Sequence, residues 1–357
     1  MRMAYKCRAY PAPEQAAALN RTFGCVRLVW NRTLAWRHAR YHGEHAKTNF
    51  TQANAYLTGM KATEDLTFLN EVSSVPLQQA IRHQQVAFSN FFAKRTRYPR
   101  YKSRSSRQSA EYTRSGFRYR DGRLILAKMD TPLEFIWSWP DIDPAALDPS
   151  TVTVSRDPCG RWYVSFAVDV ADPGQIPATR AAVGVDMGIK DLAVTSDGER
   201  VANPRHLERK ARNLARYQRR MARKTRGSAN REKARAKVAR AHRKVRAARA
   251  DYLHRASARL VRDHDVIVIE DLAVKNMVRN RSLAKAISDC GSGNFRRMIE
   301  YKAARAGRNL IVIDRWYPSS KTCSSCGHLL AELALSTRTW QCPSCGTRHD
   351  RDVNAAK

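Results

Sequence analysis

Apolar residues recur at intervals of three and four in two stretches near the start of the chain. In the first stretch, which follows Pro13, these positions are Leu19, Phe23, Val26, Trp30 and Leu34. In the second, between about residues 75 and 94, they are Leu77, Ile81, Phe88 and Phe92. This spacing is typical of helices that bury one face. We therefore predict a small helical module, with a third helix over residues 51–61, whose aromatic side chains form core rather than stack on bases.

The period then changes to two, with frequent turn residues. Strands are predicted over residues 3–10, 117–119, 124–126, 133–139, 151–154 and 162–168. Asp121-Gly122, between the second and third of them, favours a β-hairpin turn. These runs predict a small antiparallel β domain, and residues 171–179 form a linker to the second half of the chain.

Short apolar and β-branched runs after the linker indicate buried strands. They lie at residues 183–186, 192–194, 265–270 and 309–314. Helical spacing returns over residues 283–287 and 294–306. The second half of the chain therefore predicts a mixed α/β domain.

Three carboxylates stand at the ends of predicted elements in this second half. Asp186 ends one apolar run, Glu270 ends the run DVIVIE with Asp271 directly after it, and Asp352 opens a predicted helix in HDRDVNAAK. A carboxylate in apolar surroundings is costly unless a cation compensates its charge. If the strands are neighbours and the helix packs beside them, the three carboxylates suit two Mg²⁺ ions about 4 Å apart, the arrangement of nucleases. The alternative is that such aspartates are turn formers or helix caps.

The formal charge of +33, from 65 Lys and Arg against 32 Asp and Glu, points to a polyanionic partner. Nucleic acid is favoured over an anionic membrane, because no run approaches the roughly 18 apolar residues of a spanning helix. The N-terminus becomes charged again before a signal-peptide core develops. We therefore expect a cytoplasmic protein that lies on the nucleoid when bound to DNA.

The most basic segment, residues 205–250, holds nineteen Lys or Arg and two acids. Heptad-spaced apolar residues with a break at 227–230 predict a helical hairpin with a thin apolar seam. A charge run is often only a solvated face, but self-repulsion on this scale favours contact with nucleic acid. The candidate contacts are Arg209, Lys210, Arg216, Arg220, Arg223, Lys237, Arg240 and Lys244.

Residues 93–114 mix Arg and Lys with tyrosines, among them Tyr98 and Tyr101. Such a mixture suits pairing with a nucleic-acid backbone and stacking on bases. A solvated basic loop is the alternative interpretation.

Four of the eight cysteines form two Cys-x-x-Cys pairs separated by fifteen residues, the spacing of a four-thiolate zinc ribbon. The predicted ligands of one structural Zn²⁺ are Cys323, Cys326, Cys342 and Cys345. A redox pair is the alternative. The remaining cysteines are predicted to be isolated buried thiols, namely Cys7, Cys25, Cys159 and Cys290.

The sequence resembles the TnpB (OrfB) family of transposon-associated proteins, small relatives of the type V CRISPR effector nucleases. The motifs that carry the resemblance follow the family's order over nearly the whole chain. They are YPAPEQ at 10–15, GVDMGIKDLAVTSDG at 184–198, VIEDLAVKNM at 268–277, AISDCGSGNFRRMIEYKA at 286–303, WYPSSKTCSSCGH at 316–328 and HDRDVNAAK at 349–357.

The resemblance implies an RNase H-like (RuvC-like) nuclease domain with an inserted zinc ribbon, a wedge-like β domain and a helical recognition module. We expect the wedge-like domain at residues 1–10 and 98–178, and the recognition module at 11–97. The nuclease domain would take residues 179–316 and 349–357, with the basic hairpin at 204–262, and the ribbon would take 317–348.

The resemblance further implies an RNA-guided DNA endonuclease with a guide RNA from the transposon end and double-stranded target DNA as partners. The family's acidic triad falls on Asp186, Glu270 and Asp352, where Asp186 would bridge two Mg²⁺ and each of the others would hold one. Two other functions are considered: a transposase that acts directly on DNA ends, and a catalytically impaired RNA-guided DNA-binding protein.

One departure concerns the last helix. In the family this helix continues past the residues N-A-A, whereas only Lys357 follows Ala356 here. Because a single turn nucleates poorly, we expect Asp352 to be loosely held.

Overall fold

The structure is a computed structural model that describes residues 1–171, 174–334 and 336–357. It divides into two compact units, Met1–Ala171 and Asp172–Lys357, which are described separately. Residues 172 and 173 of the predicted linker lie outside the described residues.

The first unit combines three helices with a five-stranded antiparallel sheet of order β2-β6-β7-β1-β5 and a separate hairpin β3–β4. Short 3₁₀ helices lie at Glu64–Asn70, Arg114–Gly116 and Pro144–Ala146. The other elements are β1 (Arg2–Ala9), α1 (Pro13–Glu44), α2 (Phe50–Ala62), α3 (Ser74–Phe92), β2 (Gln108–Thr113), β3 (Phe117–Arg120), β4 (Arg123–Leu126), β5 (Phe135–Ile136), β6 (Pro149–Arg156) and β7 (Trp162–Asp169).

The helices bury the apolar positions that define their period. Phe23 is 2% exposed and Trp30 7%, which confirms that these aromatic residues are core. Trp30 also donates its Nε1–H to the carbonyl of Arg100 at 3.0 Å. The prediction was wrong for Phe92, which is 69% exposed because it is the last residue of α3.

The predicted hairpin is confirmed, with Asp121 and Gly122 both at positive φ (48° and 72°) as a tight two-residue turn requires. The strand predicted over 133–139 shortens to β5, because Trp137 donates its Nε1–H to the carbonyls of Trp139 and Ile142 and so closes a loop. Residues 108–113 belong to the basic segment 93–114, for which no strand was predicted. They form β2, in which the pairing of Ala110 with the neighbouring strand overrides the polar composition.

The second unit is built on a mixed sheet of order β10-β9-β8-β11-β12, in which β8, β11 and β12 are parallel and β9 is antiparallel to both of its neighbours, β8 and β10. Its elements are β8 (Ala182–Asp186), β9 (Asp191–Thr195), β10 (Arg200–Ala202), α4 (His206–Ala222), α5 (Ala229–Asp263), β11 (Val266–Glu270), α6 (Val274–Met277), α7 (Ala284–Cys290), α8 (Ser292–Ala306), β12 (Asn309–Ile313), β13 (Thr339–Gln341), β14 (Arg348–Asp350) and α9 (Arg351–Ala356).

One core joins this sheet to α5 and α8. Val183 and Val185 of β8 share it with Leu260 of α5 and with Phe295 and Ile299 of α8. The mixed α/β class is thereby confirmed for the second unit.

The run 309–314 was predicted as a buried strand, and this was wrong: Leu310 and Ile313 are half-buried and the other residues of the run are exposed. Ile311 is 43% exposed and Val312 41%. The reason is that β12 is the edge strand of the sheet, with β11 as its one neighbour.

The basic segment forms the predicted hairpin, α4 and α5, with Leu214 and Val245 as the buried residues of its thin seam. The start of α4 is fixed by Asp289, whose carboxylate accepts the backbone N–H groups of Leu207 and Glu208 at 2.9 and 3.0 Å. None of the helices in the described part of the chain has both the length and the apolar composition that crossing a membrane requires.

Candidate active site and nucleic-acid interface

Asp186 and Glu270 leave neighbouring parallel strands at the same edge of the sheet. Val185 pairs with Ile269 in the register of β8 and β11, and each carboxylate is the next residue along its strand. Because successive strand residues point to opposite faces, matched positions on parallel neighbours point the same way. The two side chains therefore share one face at the carboxyl ends of these strands.

Asp352 reaches this region from α9. The side chain of Asp350 accepts hydrogen bonds from the backbone N–H groups of Asp352 and Val353 at 3.1 and 3.0 Å, which makes Asp350 the N-cap. Asp352 lies inside the first turn, with Arg200 Nη1 3.6 Å and Arg338 Nη1 3.8 Å from its carboxylate oxygens.

The charges of the three carboxylates act on one another. Burial, followed by the negative charges of Glu270 and Asp352, raises the pKa of Asp186 to about 7, while the nearby Arg351 lowers it. Among the described residues, the four cysteine sulfurs form the group whose ligand atoms all lie within 4.8 Å of one another. The oxygens of the three carboxylates are spaced more widely than that. Three carboxylates that repel one another are a donor set suited to Mg²⁺, because a hard divalent cation relieves the repulsion.

Asp271, which follows Glu270, is held in a different environment. It forms ion pairs with Arg296 and Arg315, and hydrogen bonds from these two guanidinium groups hold the pKa of Asp271 below its usual range. Its charge is compensated within the protein.

Sequence reasoning missed two residues beside the carboxylates. Ser319 donates its hydroxyl to Glu270 Oε1 at 2.6 Å. Arg200 contacts Asp350 at 2.8 Å as well as Asp352, and it lies on a strand, β10, that the pattern did not predict. Ser319 lies within the motif WYPSSKTCSSCGH, which could have drawn attention to it, whereas Arg200 is one of 65 Lys and Arg residues and carries no sequence signal of its own.

The four predicted zinc ligands lie together in the second unit. Their sulfur atoms are within 4.8 Å of one another, with Cys323 Sγ 3.7 Å from Cys345 Sγ and Cys326 Sγ 3.6 Å from Cys342 Sγ. Tetrahedral zinc with Zn–S bonds of about 2.3 Å places its sulfurs about 3.8 Å apart. The cluster therefore fits a metal such as zinc.

Two side chains beside this cluster make supporting contacts. His349 Nε2 lies 3.0 Å from Cys323 Sγ, where it is placed to support the thiolate, and its ring contacts Trp340 with centroids 4.7 Å apart. Of the four cysteines predicted as buried thiols, Cys7, Cys25 and Cys290 are buried, whereas Cys159 is half-buried.

A groove of about 820 Å³ runs between α4 and α5. Seven of the eight predicted cationic residues line it, and Arg223, just after α4, is not among them. No carboxylate stands among the described residues that line it. The lining is His206, Arg209, Lys210, Asn213, Arg216, Tyr217, Arg220, Lys237, Arg240, Ala241, Lys244, Val245 and Ala248.

Tyr98 and Tyr101 belong to the first unit, where they differ in environment. Tyr98 makes edge-on ring contacts with Phe88 and Phe91, at centroid distances of 5.5 and 5.3 Å, and burial raises its pKa. Tyr101 is 63% exposed. The packing of Tyr98 favours a structural role for that residue, whereas Tyr101 is free to stack on a base.

Three family models match the chain. The OrfB/IS605 model, described as a probable transposase, matches residues 165–281. A model described as Cas12f1-like, TNB domain, matches residues 293–357. A helix-turn-helix domain model matches residues 1–45, which in this structure form β1 and the single helix α1.

Similar proteins extend these matches over the whole chain. A "Putative RNA-guided DNA endonuclease" of Streptomyces pristinaespiralis is 54% identical over 359 residues, covering 100% of this chain and 88% of that protein. The protein named "Putative RNA-guided DNA endonuclease InsQ" of Escherichia coli K12 is 29% identical, covering 99% and 90%. "TnpB-like protein L79" of Acanthamoeba polyphaga mimivirus is 27% identical, covering 60% and 43%. Among solved structures, a Cas12f1–sgRNA–target DNA complex aligns with 100% of this chain and 98% of its own, at 14% identity and a TM-score of 0.38.

Proposed function

Because this chain belongs to the TnpB (OrfB) family of transposon-associated proteins, we propose that it is an RNA-guided DNA endonuclease that hydrolyses target DNA with Mg²⁺. The observation that carries the proposal is the matched position of Asp186 and Glu270 on adjacent parallel strands, with Asp352 close enough to raise the pKa of Asp186. Relatives that carry the name of RNA-guided DNA endonuclease support the reaction class.

We assign the nuclease domain to the RNase H-like fold, over residues 179–316 and 349–357. This assignment is supported by the sheet, in which three antiparallel strands, β8 to β10, are extended by the two parallel strands β11 and β12, and in which Asp186 and Glu270 stand at strand ends. The zinc ribbon then occupies residues 317–348. We retain the wedge-like domain at 1–10 and 98–178 and the recognition module at 11–97.

Asp186, Glu270 and Asp352 would hold two Mg²⁺ ions, since their charges act on one another: those of Glu270 and Asp352 both raise the pKa of Asp186. When bound, the ions supply a nucleophilic water at neutral pH and stabilise the leaving oxygen of the phosphodiester. The carboxyl group of Asp186, whose pKa is raised to about 7, would have to lose its proton to hold a cation. Ser319 orients Glu270, and Arg200 and Arg338 balance part of the charge of Asp352.

The groove between α4 and α5 would hold the nucleic-acid backbone. Seven cationic side chains line a single concave surface. Backbone phosphates that bind there would release their counterions, and this contribution to affinity does not depend on the base sequence. Sequence choice would come from pairing between guide RNA and target DNA, and the protein would read a short flanking motif. Tyr101 is retained as a candidate stacking residue in the first unit, since its ring is exposed.

The test is plasmid cleavage by the protein co-expressed with RNA from its own transposon end. We expect cleavage at sites that match the guide, with Mg²⁺ and not in EDTA. Joined transposon ends formed without RNA would identify a transposase instead. Guide-directed DNA binding with no cleavage at any Mg²⁺ concentration would identify a DNA-binding protein.

A further inference from the structure

Residues 318–324 connect the edge strand of the sheet to the first pair of zinc-ligating cysteines. We name them the ribbon entry segment. The segment contacts the carboxylate site directly, because Ser319 donates its hydroxyl to Glu270 Oε1 at 2.6 Å. Glu270 and Ser319 also line the same cavity, of about 580 Å³, on this side of the sheet. One carboxylate of the proposed active site is therefore oriented by a residue of this segment.

The same segment holds the helix that carries Asp352. Asn354, two residues further along α9, is 3% exposed. Its Oδ1 accepts the backbone N–H of Ser324 at 2.9 Å, and its Nδ2–H₂ donates to the carbonyls of Thr322 at 2.7 Å and Ser319 at 3.3 Å. One side chain thus joins α9 to three backbone groups of the ribbon entry segment.

These contacts decide where α9 lies, since six residues are too few to form a stable isolated helix. The expectation that Asp352 is loosely held was wrong for this reason: Asn354 and Ala356 are both buried, and Asp350 caps the helix.

The far end of the segment is fixed by the cysteine cluster. Cys323, which is 1% exposed, accepts the N–H of Gly327 at its backbone carbonyl and contributes its sulfur to the predicted zinc site. The backbone from Cys323 to Ser319, together with the Ser319 hydroxyl group, connects the cysteine cluster to Glu270. The ribbon and the carboxylate site are therefore structurally joined.

We propose that the ribbon entry segment is a positioning device for the nuclease site, in which Ser319 orients Glu270 and Asn354 places Asp352. The proposal rests on the proposed function, because it assigns a role in metal binding to residues that support the three carboxylates. Ser319 and Asn354 are positioning residues and act through Glu270 and Asp352. Their loss should weaken divalent-cation binding even where the fold and the zinc are retained.

The test measures Mn²⁺ binding to the full-length, zinc-loaded chain by electron paramagnetic resonance, without nucleic acid. We expect Ser319→Ala to bind Mn²⁺ about 10- to 100-fold more weakly than the wild type, the usual effect of removing a residue that supports a metal ligand. Ser319→Thr keeps the hydroxyl and should bind nearly normally. Ser325→Ala, at an exposed serine between Cys323 and Cys326, is the matched control and should bind normally.

Asn354→Asp supplies a second, independent measurement. It keeps the acceptor for Ser324 but replaces the donor to Thr322 and Ser319 with an oxygen, so α9 loses two of its three bonds to the segment. We again expect weaker Mn²⁺ binding, with one zinc per chain retained by atomic emission.

The outcomes separate this proposal from the function on which it rests. Normal Mn²⁺ binding by both Ser319→Ala and Asn354→Asp, or equal losses in Ser319→Ala and Ser319→Thr, would overturn the positioning role. If Asp186→Ala also bound Mn²⁺ normally, the carboxylate site itself would be rejected.

Discussion

Gly184 of β8 lies against the carbonyl oxygen of Ala356 in α9, so closely that a Cβ atom at position 184 would stand 1.8 Å from that oxygen. Hydrogen bonds to Ser196 hold β8 in place here. The N–H of Gly184 donates to Ser196 Oγ at 3.1 Å, and its carbonyl accepts the N–H of Ser196 at 2.9 Å. A residue without a side chain is therefore needed where α9 packs on β8. This contact fixes the distance between the helix of Asp352 and the strand that ends in Asp186.

We expect Gly184→Ala to displace α9 and to lower DNA cleavage about a hundredfold, since a shift of about 1 Å at a catalytic group has an effect of that size. The clash is with backbone, so a change of rotamer cannot relieve it. Cleavage rate and Mn²⁺ affinity are the measurements. The control is Gly59→Ala in α2, where nothing lies within 4 Å of the added Cβ and both quantities should be retained. Full activity of Gly184→Ala would show that α9 does not pack this closely.

The raised pKa of Asp186 predicts that its ionisation lowers the stability of the fold in a pH-dependent way. Burial and the charges of Glu270 and Asp352 raise its pKa to about 7 in the folded protein, compared with about 3.9 in an unfolded chain. A carboxyl group of this kind has no effect on stability below about pH 4, and it destabilises the fold progressively as the pH rises toward 7. The full cost is present above pH 7 when no divalent cation is bound.

Asp186→Asn removes this cost. Without Mg²⁺ or Mn²⁺, we expect the variant to unfold about 3 °C or more above the wild type at pH 8, and the difference to shrink at pH 5. Thermal unfolding followed by circular dichroism gives both midpoints. Asp141→Asn, at an exposed aspartate of the first unit, should match the wild type at both pH values. A difference for Asp186→Asn that is equal at pH 5 and pH 8 would contradict the raised pKa.

The groove predicts how RNA binding depends on salt. Lys237→Gln and Arg240→Gln each remove a cation that lines it, so affinity should fall and the slope of log K against log salt should decrease by about 1 per substitution. Binding titrations between 50 and 200 mM salt, on the order of physiological strength, measure this slope. Arg255→Gln lies on the same helix but outside the groove, in an ion pair with Asp251, and should leave the slope unchanged. If Lys237→Gln and Arg240→Gln gave the same slope as Arg255→Gln, the groove would not be part of the RNA-binding surface.

The carboxylate arrangement could be anticipated from sequence because strand ends are readable from apolar runs. DVIVIE and the run before Asp186 are short, β-branched and bounded by polar residues, so their ends were located correctly. Parallel neighbours then bring those ends to one edge. The cysteine spacing was equally informative, since four thiolates in two Cys-x-x-Cys pairs have few other structural uses.

The supporting residues could not be predicted in the same way. Ser319 and Asn354 lie in motifs that carry the family resemblance, whereas Arg200 lies in none of them. The roles of all three depend on contacts with residues far along the chain, which a local pattern does not reveal. The exposure of Ile311 depends on the edge position of β12, which strand composition does not reveal. Strand β2 was missed because its sequence, QSAEYT, alternates only weakly.

The contacts between the ribbon entry segment and α9 predict that loss of a metal from the cysteine cluster weakens the carboxylate site. Cys342→Ser removes a buried ligand, and we expect zinc content to fall below one per chain and Mn²⁺ affinity to decrease at least about tenfold. Zinc is measured by atomic emission and Mn²⁺ by paramagnetic resonance on the same sample. Cys159→Ser, at a turn of the first unit, should retain both metals. Unchanged Mn²⁺ binding in a zinc-free Cys342→Ser protein would separate the two sites.

The most direct test of the proposed nuclease site is guide-directed plasmid cleavage by Asp186→Ala, compared with the wild type and with Asp141→Ala. We predict that Asp186→Ala retains guide RNA and binds matching DNA but makes no cut in Mg²⁺, while Asp141→Ala cuts normally. Residual Mg²⁺-dependent cleavage by Asp186→Ala at the guided site would contradict the assignment of the carboxylate site.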